Sequence, residues 1–156
     1  MPKAELRFQW ARLGDLNAVE FHAAMVQRVA VFVVEQNCVY QEADALDPVA
    51  WHLLAWSGDH LAAYLRVADP GTNYPEPSLG RVLTAPAFRG QGAGQQLITE
   101  ALRCCAETWP GQSNRISAQH YLLKFYQSFG FAPVSEIYQE DDIPHVEMLR
   151  PGALQK

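Results

Sequence analysis

The stretch that decides the fold covers residues 79–108 and centres on Arg89-Gly90-Gln91-Gly92-Ala93-Gly94. Before it, Leu79-Gly80-Arg81-Val82-Leu83-Thr84-Ala85 has the composition of a strand. Pro86 ends that strand, because proline cannot donate to a strand ladder. After it, an apolar helical face is formed by Leu97, Ile98, Ala101, Leu102 and Cys105. The sequence therefore predicts a strand, a glycine-rich turn and a helix in direct succession.

A turn of this composition is suited to bind an anion such as a phosphate. Glycines allow the backbone to approach a ligand and to point its N–H groups at it. The first N–H groups of the following helix have no partner within the helix, and its dipole adds positive potential there. Arg89 contributes a full positive charge. The alternative interpretation is an ordinary loop or helix cap.

The spacing of the glycines excludes the commonest phosphate-binding loops. A Walker loop requires Gly-Lys-Ser/Thr, which does not follow here, and the order Gly90-x-Gly92-x-Gly94 lacks the two-residue gap of the dinucleotide fingerprint. A methyltransferase places its glycine turn after the first strand, whereas several strand-like segments precede this one. The turn therefore calls for another class of ligand-binding protein.

Composition limits the function classes further. The chain has 156 residues, of which 49% are hydrophobic and 19% charged, so we expect one domain over residues 1–156. A net charge of −5 without a run of Lys or Arg disfavours nucleic-acid binding. No long apolar stretch or leader-like N-terminus is present, which disfavours membrane insertion and secretion and favours the cytoplasm. Cys38, Cys104 and Cys105 lack CxxC spacing and indicate reduced thiols.

The periodicity of the whole chain predicts an α+β domain with a mixed sheet. The expected order is β, α, three strands, α, β, α, β, β, with Asn17 and Glu20 capping the first helix. A second helix is expected over residues 120–129, ended by Gly130 with Phe131 packing back on it. The final strands are placed near residues 134–138 and 145–149. Residues 31–36 fit either a helix end or an extended segment.

A second motif follows the glycine turn by about 35 residues. Tyr126-x-x-x-Gly130-Phe131, together with Arg89-x-x-Gly92-x-Gly94, resembles the GNAT superfamily of N-acetyltransferases. Four other stretches are similar to its ElaA-like branch: Val31-Phe32-Val33-Val34-Glu35-Gln36, Tyr40 with Asp44 and Asp47, Gly80-Arg81-Val82, and Ile143-Pro144-His145-Val146-Glu147-Met148. The resemblance implies a single GNAT-like domain whose central sheet is mixed, mostly antiparallel and flanked by helices.

The resemblance also implies acetyl-CoA as the acyl donor. Its pyrophosphate would lie on the turn formed by Arg89, Gly90, Gln91, Gly92, Ala93 and Gly94. Its pantetheine arm would pair with Val82, Leu83 and Thr84 as an added strand. Gln119 stands where the superfamily often has Asn, and its amide can hydrogen-bond the same arm.

Tyr126 is the candidate general acid, which would protonate the departing thiolate and also touch the donor. Its reference pKa of about 10 keeps it protonated at neutral pH. The alternative is a core tyrosine, because Tyr126 lies in an apolar helical stripe. The general base is open among Glu35, His120, His145 and a water relay, and each of these side chains could equally be structural or solvated. No pair of histidines has the spacing of a zinc site, so we expect no metal.

Acidic residues gather in two regions that flank the acceptor mouth in the superfamily's fold: Glu35, Glu42, Asp44 and Asp47, and Glu136, Glu140, Asp141, Asp142 and Glu147. They would suit a cationic amine, or they are simply solvated loops. The expected function is transfer of an acetyl group from acetyl-CoA to a primary amine of a small molecule or peptide. The alternative is an acyl-CoA-binding sensor or regulatory module. The sequence leaves open the acceptor and the choice between monomer and homodimer.

Overall fold

The computed structural model describes residues 5–152, which contain three α-helices and eight strands. The elements are β1 (Arg7–Arg12), α1 (Ala18–Arg28), β2 (Trp51–Ser57), β3 (His60–Ala68), β4 (Ser78–Thr84), α2 (Ala93–Thr108), β5 (Asn114–Gln119), α3 (Leu123–Gln127), β6 (Ala132–Pro133), β7 (Tyr138–Glu140) and β8 (Ile143–Arg150). A π-helix, Val29–Glu35, continues α1, and short 3-10 turns occupy Leu13–Asp15, Pro86–Phe88 and His120–Leu122.

The strands form two antiparallel groups. The first has the order β1-β2-β3-β4, and the second has the order β5-β8-β6 with β7 also paired to β8. The groups meet where the N–H of Arg115 donates to the Pro77 carbonyl at 3.1 Å, at the start of β4 and β5. Within residues 5–152 no ladder continues between these two strands. They therefore separate, and a cleft opens between them.

Helices cover both faces of the first strand group, because β2 and β3 bury side chains on both sides. On one face, Leu53 and Leu65 pack with Leu97 and Ile98 of α2. On the other, Leu54 and Tyr64 pack with Ala24 of α1. Leu97 and Ile98 are fully buried, and each such side chain contributes about 1.5–3 kcal/mol to stability.

Several local predictions are confirmed, together with the α+β fold class. The Asn17 side chain accepts the Glu20 N–H at 2.8 Å, and the Glu20 carboxylate accepts the Asn17 N–H at 2.8 Å. Gly130 has φ 93°, and the next N–H, that of Phe131, donates to the Tyr126 carbonyl at 3.3 Å. Phe131 then packs edge-on against Tyr126, with ring centroids 5.9 Å apart.

Other boundaries differ from the prediction. The strand expected at residues 134–138 is wrong: the chain pairs at Ala132–Pro133 and Tyr138–Glu140 instead. The ladder breaks because the Ser135 hydroxyl, not a backbone carbonyl, accepts the Glu147 N–H at 2.9 Å. The helix expected over residues 120–129 is a 3-10 turn followed by the short α3.

The segment over residues 31–36, which the sequence left open, is helical but wider than an α-helix. The N–H of Gln36 donates to the Val31 carbonyl at 3.2 Å, five residues back. The N–H of Cys38 reaches the Val33 carbonyl at 3.0 Å in the same way. This widened turn is typical of functional sites, and here it carries the end of α1 toward the cleft.

Candidate active site

The cleft between β4 and β5 has a volume of about 950 Å³. β4 forms one wall and β5 the other, while the π-helix closes the rim and Tyr126 lies on the floor. A second cavity of about 370 Å³ surrounds the start of α2. Thr84, Arg89 and Gly94 line both, so the two cavities adjoin, and together they are called the channel.

The glycine turn has the geometry of an anion cradle. Gly92 is the residue before α2 and adopts φ 77°, a left-handed conformation that favours glycine. No side chain caps the helix there, so the first N–H groups of α2 remain available for a ligand. A Cβ on Gly94 would lie 3.5 Å from the Thr84 hydroxyl and 3.6 Å from the Phe125 ring, which would narrow the channel. Anionic phosphate fits this end of it.

The six predicted cradle residues are not all arranged alike. Arg89, Gly90, Gly92, Ala93 and Gly94 line the smaller cavity. The Gln91 amide instead donates to the Ala87 carbonyl at 3.2 Å. Gln91 therefore helps to fix the turn with its side chain.

Arg89 is held by a carboxylate from the π-helix. Its two terminal nitrogens lie 2.8 and 2.7 Å from the two oxygens of Glu35, and its Nε donates to the Thr84 carbonyl at 3.2 Å. Both side chains of the pair are nearly half exposed. The hydrogen bond from Arg89 lowers the pKa of Glu35. A carboxylate held in this way is a weaker base, so the structure does not favour Glu35 for that role.

β4, which forms one wall of the cleft, contains a bulge. Tyr64 pairs with Leu83 and Arg66 with Gly80, so Arg81 and Val82 lie opposite a single residue of β3. Arg81 adopts φ 51° there. Bulges redirect the backbone next to active sites. Val82, Leu83 and Thr84 line the cleft immediately after it.

Buried ion pairs fasten β4 to α1. Arg28 is fully buried, and its guanidinium contacts Glu42 at 3.0 Å and Asp47 at 2.7 Å. Arg66 contacts Asp47 at 2.8 Å and Asp44 at 2.7 Å. Arg81 closes the network with Glu42 at 2.5 Å and Asp44 at 3.4 Å. Three cations thus balance three anions.

This network corrects the expectation for the first acidic region. Glu42 and Asp47 are only 5% and 4% exposed, so the interpretation as a solvated loop is wrong for them. Their charge is also compensated internally by arginines, which leaves little of it for an acceptor. Burial alone would raise the pKa of Asp47, but hydrogen bonds and charge from Arg28 and Arg66 outweigh it and lower that pKa.

A neutral histidine completes the network. His52 is fully buried, and burial lowers its pKa. Its Nε2 lies 2.9 Å from the Asp47 carbonyl, which can only accept, so Nε2 carries the proton. Its Nδ1 then accepts from the Tyr64 hydroxyl at 2.7 Å. Both ring nitrogens of His52 therefore have partners inside the protein, which gives His52 a structural role.

The position of Tyr126 is compatible with both interpretations that the sequence left open. It is 4% exposed and packs against Phe125, with ring centroids 5.3 Å apart. It also lines the floor of the cleft. Burial raises the pKa of the phenol above its usual range. The hydroxyl therefore stays protonated at any physiological pH, as a proton donor must.

The predicted pantetheine contact, Gln119, lies at the cleft but has a protein partner. The amides of Gln119 and Gln36 donate to each other at 3.3 Å in both directions. This pair joins the end of the π-helix to the end of β5. The Gln119 side chain therefore already has a protein partner at the cleft.

The two remaining base candidates, His120 and His145, differ in whether they line the cleft. His120 begins the 3-10 turn after β5 and is not among the residues that line the cleft. His145 lines the cleft and is 6% exposed. Its Nδ1 lies 2.7 Å from the Ile143 carbonyl, and its Nε2 lies 3.2 Å from a carboxylate oxygen of Glu140. Tyr138 stacks on its ring at 6.2 Å and contacts the Ser117 hydroxyl.

Sequence reasoning missed three contributors to these contacts: Arg28 in the ion network, Gln36 beside Gln119, and Glu140 beside His145. For Arg28 a signal was present. It lies four residues after Ala24 and three before Val31, on the apolar side of the helix, where a charge needs buried partners. Gln36 and Glu140 gave no such signal, because their partners Gln119 and His145 depend on how distant elements pack.

The cleft between two diverging strands, the glycine turn at a helix start and the buried tyrosine that lines the cleft together resemble the site that the sequence motifs implied, that of an enzyme that takes its acyl group from a CoA thioester. The comparisons agree. A family model described as "Acetyltransferase (GNAT) domain" matches residues 18–150, so the chain belongs to the GNAT acetyltransferase family.

Relatives and solved structures place it near ElaA, as the motifs predicted. Protein ElaA of Escherichia coli is 42% identical over 146 residues, which cover 91% of this chain and 95% of that protein. The crystal structure of E. coli ElaA matches with a TM-score of 0.87 at 40% identity, covering 94% of this chain and 99% of that one. An acyl-CoA N-acyltransferase from Pseudomonas aeruginosa matches with a TM-score of 0.89 at 42% identity, over 94% and 99% of the two chains.

Proposed function

We propose that this protein transfers an acetyl group from acetyl-CoA directly to a primary amine. One observation carries the proposal: the channel formed by the two adjoining cavities is lined by the glycine turn at one end, by β4 next to its bulge, and by the buried Tyr126. An anion cradle, an exposed strand edge and a proton donor then follow one another in the order in which a CoA thioester presents its pyrophosphate, amides and sulfur.

The donor would be held by backbone groups. N–H groups of the turn and of the start of α2 would bind the pyrophosphate, with Arg89 as an additional cation. Val82, Leu83 and Thr84 would pair with the amides of the pantetheine arm, because β4 has no strand partner on its cleft side within the described residues. A main-chain N–H near the bulge would stabilise negative charge on the thioester oxygen.

Tyr126 would act as the general acid. Its burial keeps the phenol protonated, so it can give its proton to the thiolate as the C–S bond breaks. The phenol is a far weaker acid than the thiol, whose pKa is about 8.5, so this transfer is uphill on its own and is completed only because Tyr126 regains a proton from the nitrogen of the intermediate as the C–S bond breaks. On the acceptor side, Glu35 and His145 both line the cleft, but Arg89 binds both oxygens of Glu35, which leaves the surroundings of His145 as the place for a base.

A thiol-release assay with acetyl-CoA tests the function. The acceptors are polyamines, amino sugars, free amino acids and N-terminal peptides, and acetyl-CoA affinity is measured in parallel by calorimetry. Wild type is compared with Tyr126→Phe and with Gly92→Glu, which places a negative charge in the cradle. Tyr121→Phe is the matched control, because it removes a phenol that is 72% exposed at the rim of the same cleft.

Turnover on one class of amine is expected, and the class identifies the acceptor. Tyr126→Phe should lower kcat by roughly 100-fold with acetyl-CoA affinity retained, since a positioned proton donor contributes on that order. Gly92→Glu should lose both binding and turnover, while Tyr121→Phe should cost no more than a few-fold. Tight acetyl-CoA binding without turnover on any amine would refute the enzyme and favour a CoA-binding regulatory module.

A further inference from the structure

The environment of His145 restricts how it can take part in proton transfer. His145 is only 6% exposed, and two contacts fix its ring. Nδ1 lies 2.7 Å from the Ile143 carbonyl, and Nε2 lies 3.2 Å from Oε2 of Glu140. A carbonyl can only accept a hydrogen bond, so Nδ1 carries a proton.

The second contact then requires a proton between His145 and Glu140. Nε2 and an ionised carboxylate both accept, so a proton must reside on one of them for the contact to be favourable. Neither ring nitrogen is therefore left to face a substrate. The other oxygen of Glu140, Oε1, makes no hydrogen bond to any residue that the structure describes. The Glu140 side chain is 52% exposed and lines the cleft.

The β7–β8 hairpin places this pair with little freedom. Tyr138 pairs with His145 and Glu140 pairs with Ile143 across the two strands. Asp141 and Asp142 make the connecting turn, with φ 51° and 61°. Glu140 is thus the last residue of β7, directly at the rim of the acceptor side of the cleft.

Other charged and titratable groups surround this pair. Arg115 contacts Glu76 at 2.9 Å and Glu147 at 3.4 Å, so Glu147 has a cation partner. The carboxylates of Asp141 and Asp142 follow Glu140 in the turn, and Asp141 also lines the cleft. The remaining titratable neighbours are the phenols of Tyr74 and Tyr138 and the thiol of Cys38, whose Sγ lies 3.5 Å from the Asp141 carbonyl. Burial raises the pKa of both phenols, so they remain protonated and cannot act as bases at neutral pH.

We propose that Glu140 is a catalytic residue of the acyl transfer: its Oε1 takes the proton from the incoming ammonium group, while His145 is the positioning residue that orients the carboxylate. The inference rests on the proposed function and names the base that the acceptor side requires. Glu35 is a poorer candidate for the base, because Arg89 binds both of its oxygens. His120 is not among the residues that line the cleft.

The proton balance is complete. The acceptor R–NH₃⁺ gives one proton to Glu140, and the free electron pair of R–NH₂ forms the N–C bond to the thioester carbon. As the C–S bond breaks, Tyr126 protonates the sulfur and regains a proton from the nitrogen of the intermediate. The amide and CoA–SH leave, and the half-exposed Glu140 releases the first proton to water.

Glu140→Gln tests the inference in the full-length protein, with the amine that gives the highest turnover in the thiol-release assay. The variant should lower kcat by roughly 100-fold at pH 7 while the Kd for acetyl-CoA, measured by calorimetry, stays unchanged. The pH profile should also change. Wild type should level off well below the pKa of the amine, whereas the variant should gain about tenfold per pH unit toward a lysine-like pKa of about 10.4, because only free amine then reacts.

Two further variants complete the design. Glu140→Asp keeps a carboxylate one methylene shorter and should recover part of the rate and the wild-type profile. Glu107→Gln makes the same charge change on an exposed part of α2 and should behave as wild type. Thermal unfolding of each variant separates a folding defect from a chemical one, and a fully folded Glu140→Gln is expected because the side chain is exposed.

The outcomes separate the two proposals. Wild-type turnover with an unchanged rate and pH profile in Glu140→Gln overturns the role of Glu140 and leaves the function standing. An equal loss in Glu107→Gln, or no recovery in Glu140→Asp beyond that of Glu140→Gln, also overturns it. No wild-type turnover on any amine removes the proposed function, and this inference falls with it.

Discussion

Asp47→Asn is a direct test of the buried ion network, because Asp47 joins its two most buried arginines. Its carboxylate contacts Arg28 at 2.7 and 3.1 Å and Arg66 at 2.8 Å, and it is 4% exposed. The substitution keeps the shape of the side chain but leaves three cations facing two anions. Removing one partner of a buried pair costs about 3–5 kcal/mol, because the remaining charge is buried without compensation.

The loss is large relative to the total stability of a domain, which is typically about 5–15 kcal/mol. For a chain of this size each kcal/mol lowers Tm by about 2–4 °C, so we expect a drop on the order of 10 °C. Urea unfolding gives the free energy and calorimetry gives Tm. Asp69→Asn is the matched control: its pair with Arg12 at 2.8 Å is about one-third exposed and should cost less than about 1 kcal/mol. A free-energy loss in Asp47→Asn no larger than in the control would refute the reasoning.

Two further predictions follow from the same contacts. Burial alone would raise the pKa values of Asp44 and Asp47, but their arginine partners lower both. Their contribution to stability is therefore complete above the unfolded-state pKa of about 3.9 and is lost as the pH falls below about 4. Tm measured against pH should show this loss in wild type, and the gap to Asp47→Asn should shrink there. Glu35→Gln frees Arg89 for the donor and should tighten acetyl-CoA binding by about two- to fivefold in calorimetry; unchanged or weaker binding would contradict it.

The parts of the site that the sequence predicted are local in the chain. The glycine turn, the start of α2 and the Tyr126–Phe131 helix end each depend on residues within one short segment, where glycine spacing and helical periodicity are informative. The separation of β4 from β5 is different, because it depends on two strands that start together and then diverge. No sequence pattern in either strand predicts that divergence.

The buried network could not be predicted for the same physical reason. Arg28 and Asp47 are 19 residues apart, and Arg81 and Glu42 are 39 apart. Their charges alone equally fit solvated loops, which is the commonest fate of acidic residues. Only the packing of residues 38–50 over β3 and β4 brings them together and removes them from water.

The network also explains why a costly arrangement is useful here. Buried ion pairs are often no more stable than apolar side chains of the same volume, so stability alone does not account for a network of six pairs, three of them buried on both sides. The ion pairs instead fix β4 relative to α1. Arg81 lies at the bulge of β4 with φ 51°, and Glu42 joins it to Arg28 of α1. The same helix continues into the π-helix, whose Glu35 holds Arg89 at the cradle. One helix thereby sets the position of the β4 edge and of the glycine turn, the two surfaces that a CoA thioester would contact at once under the proposed function.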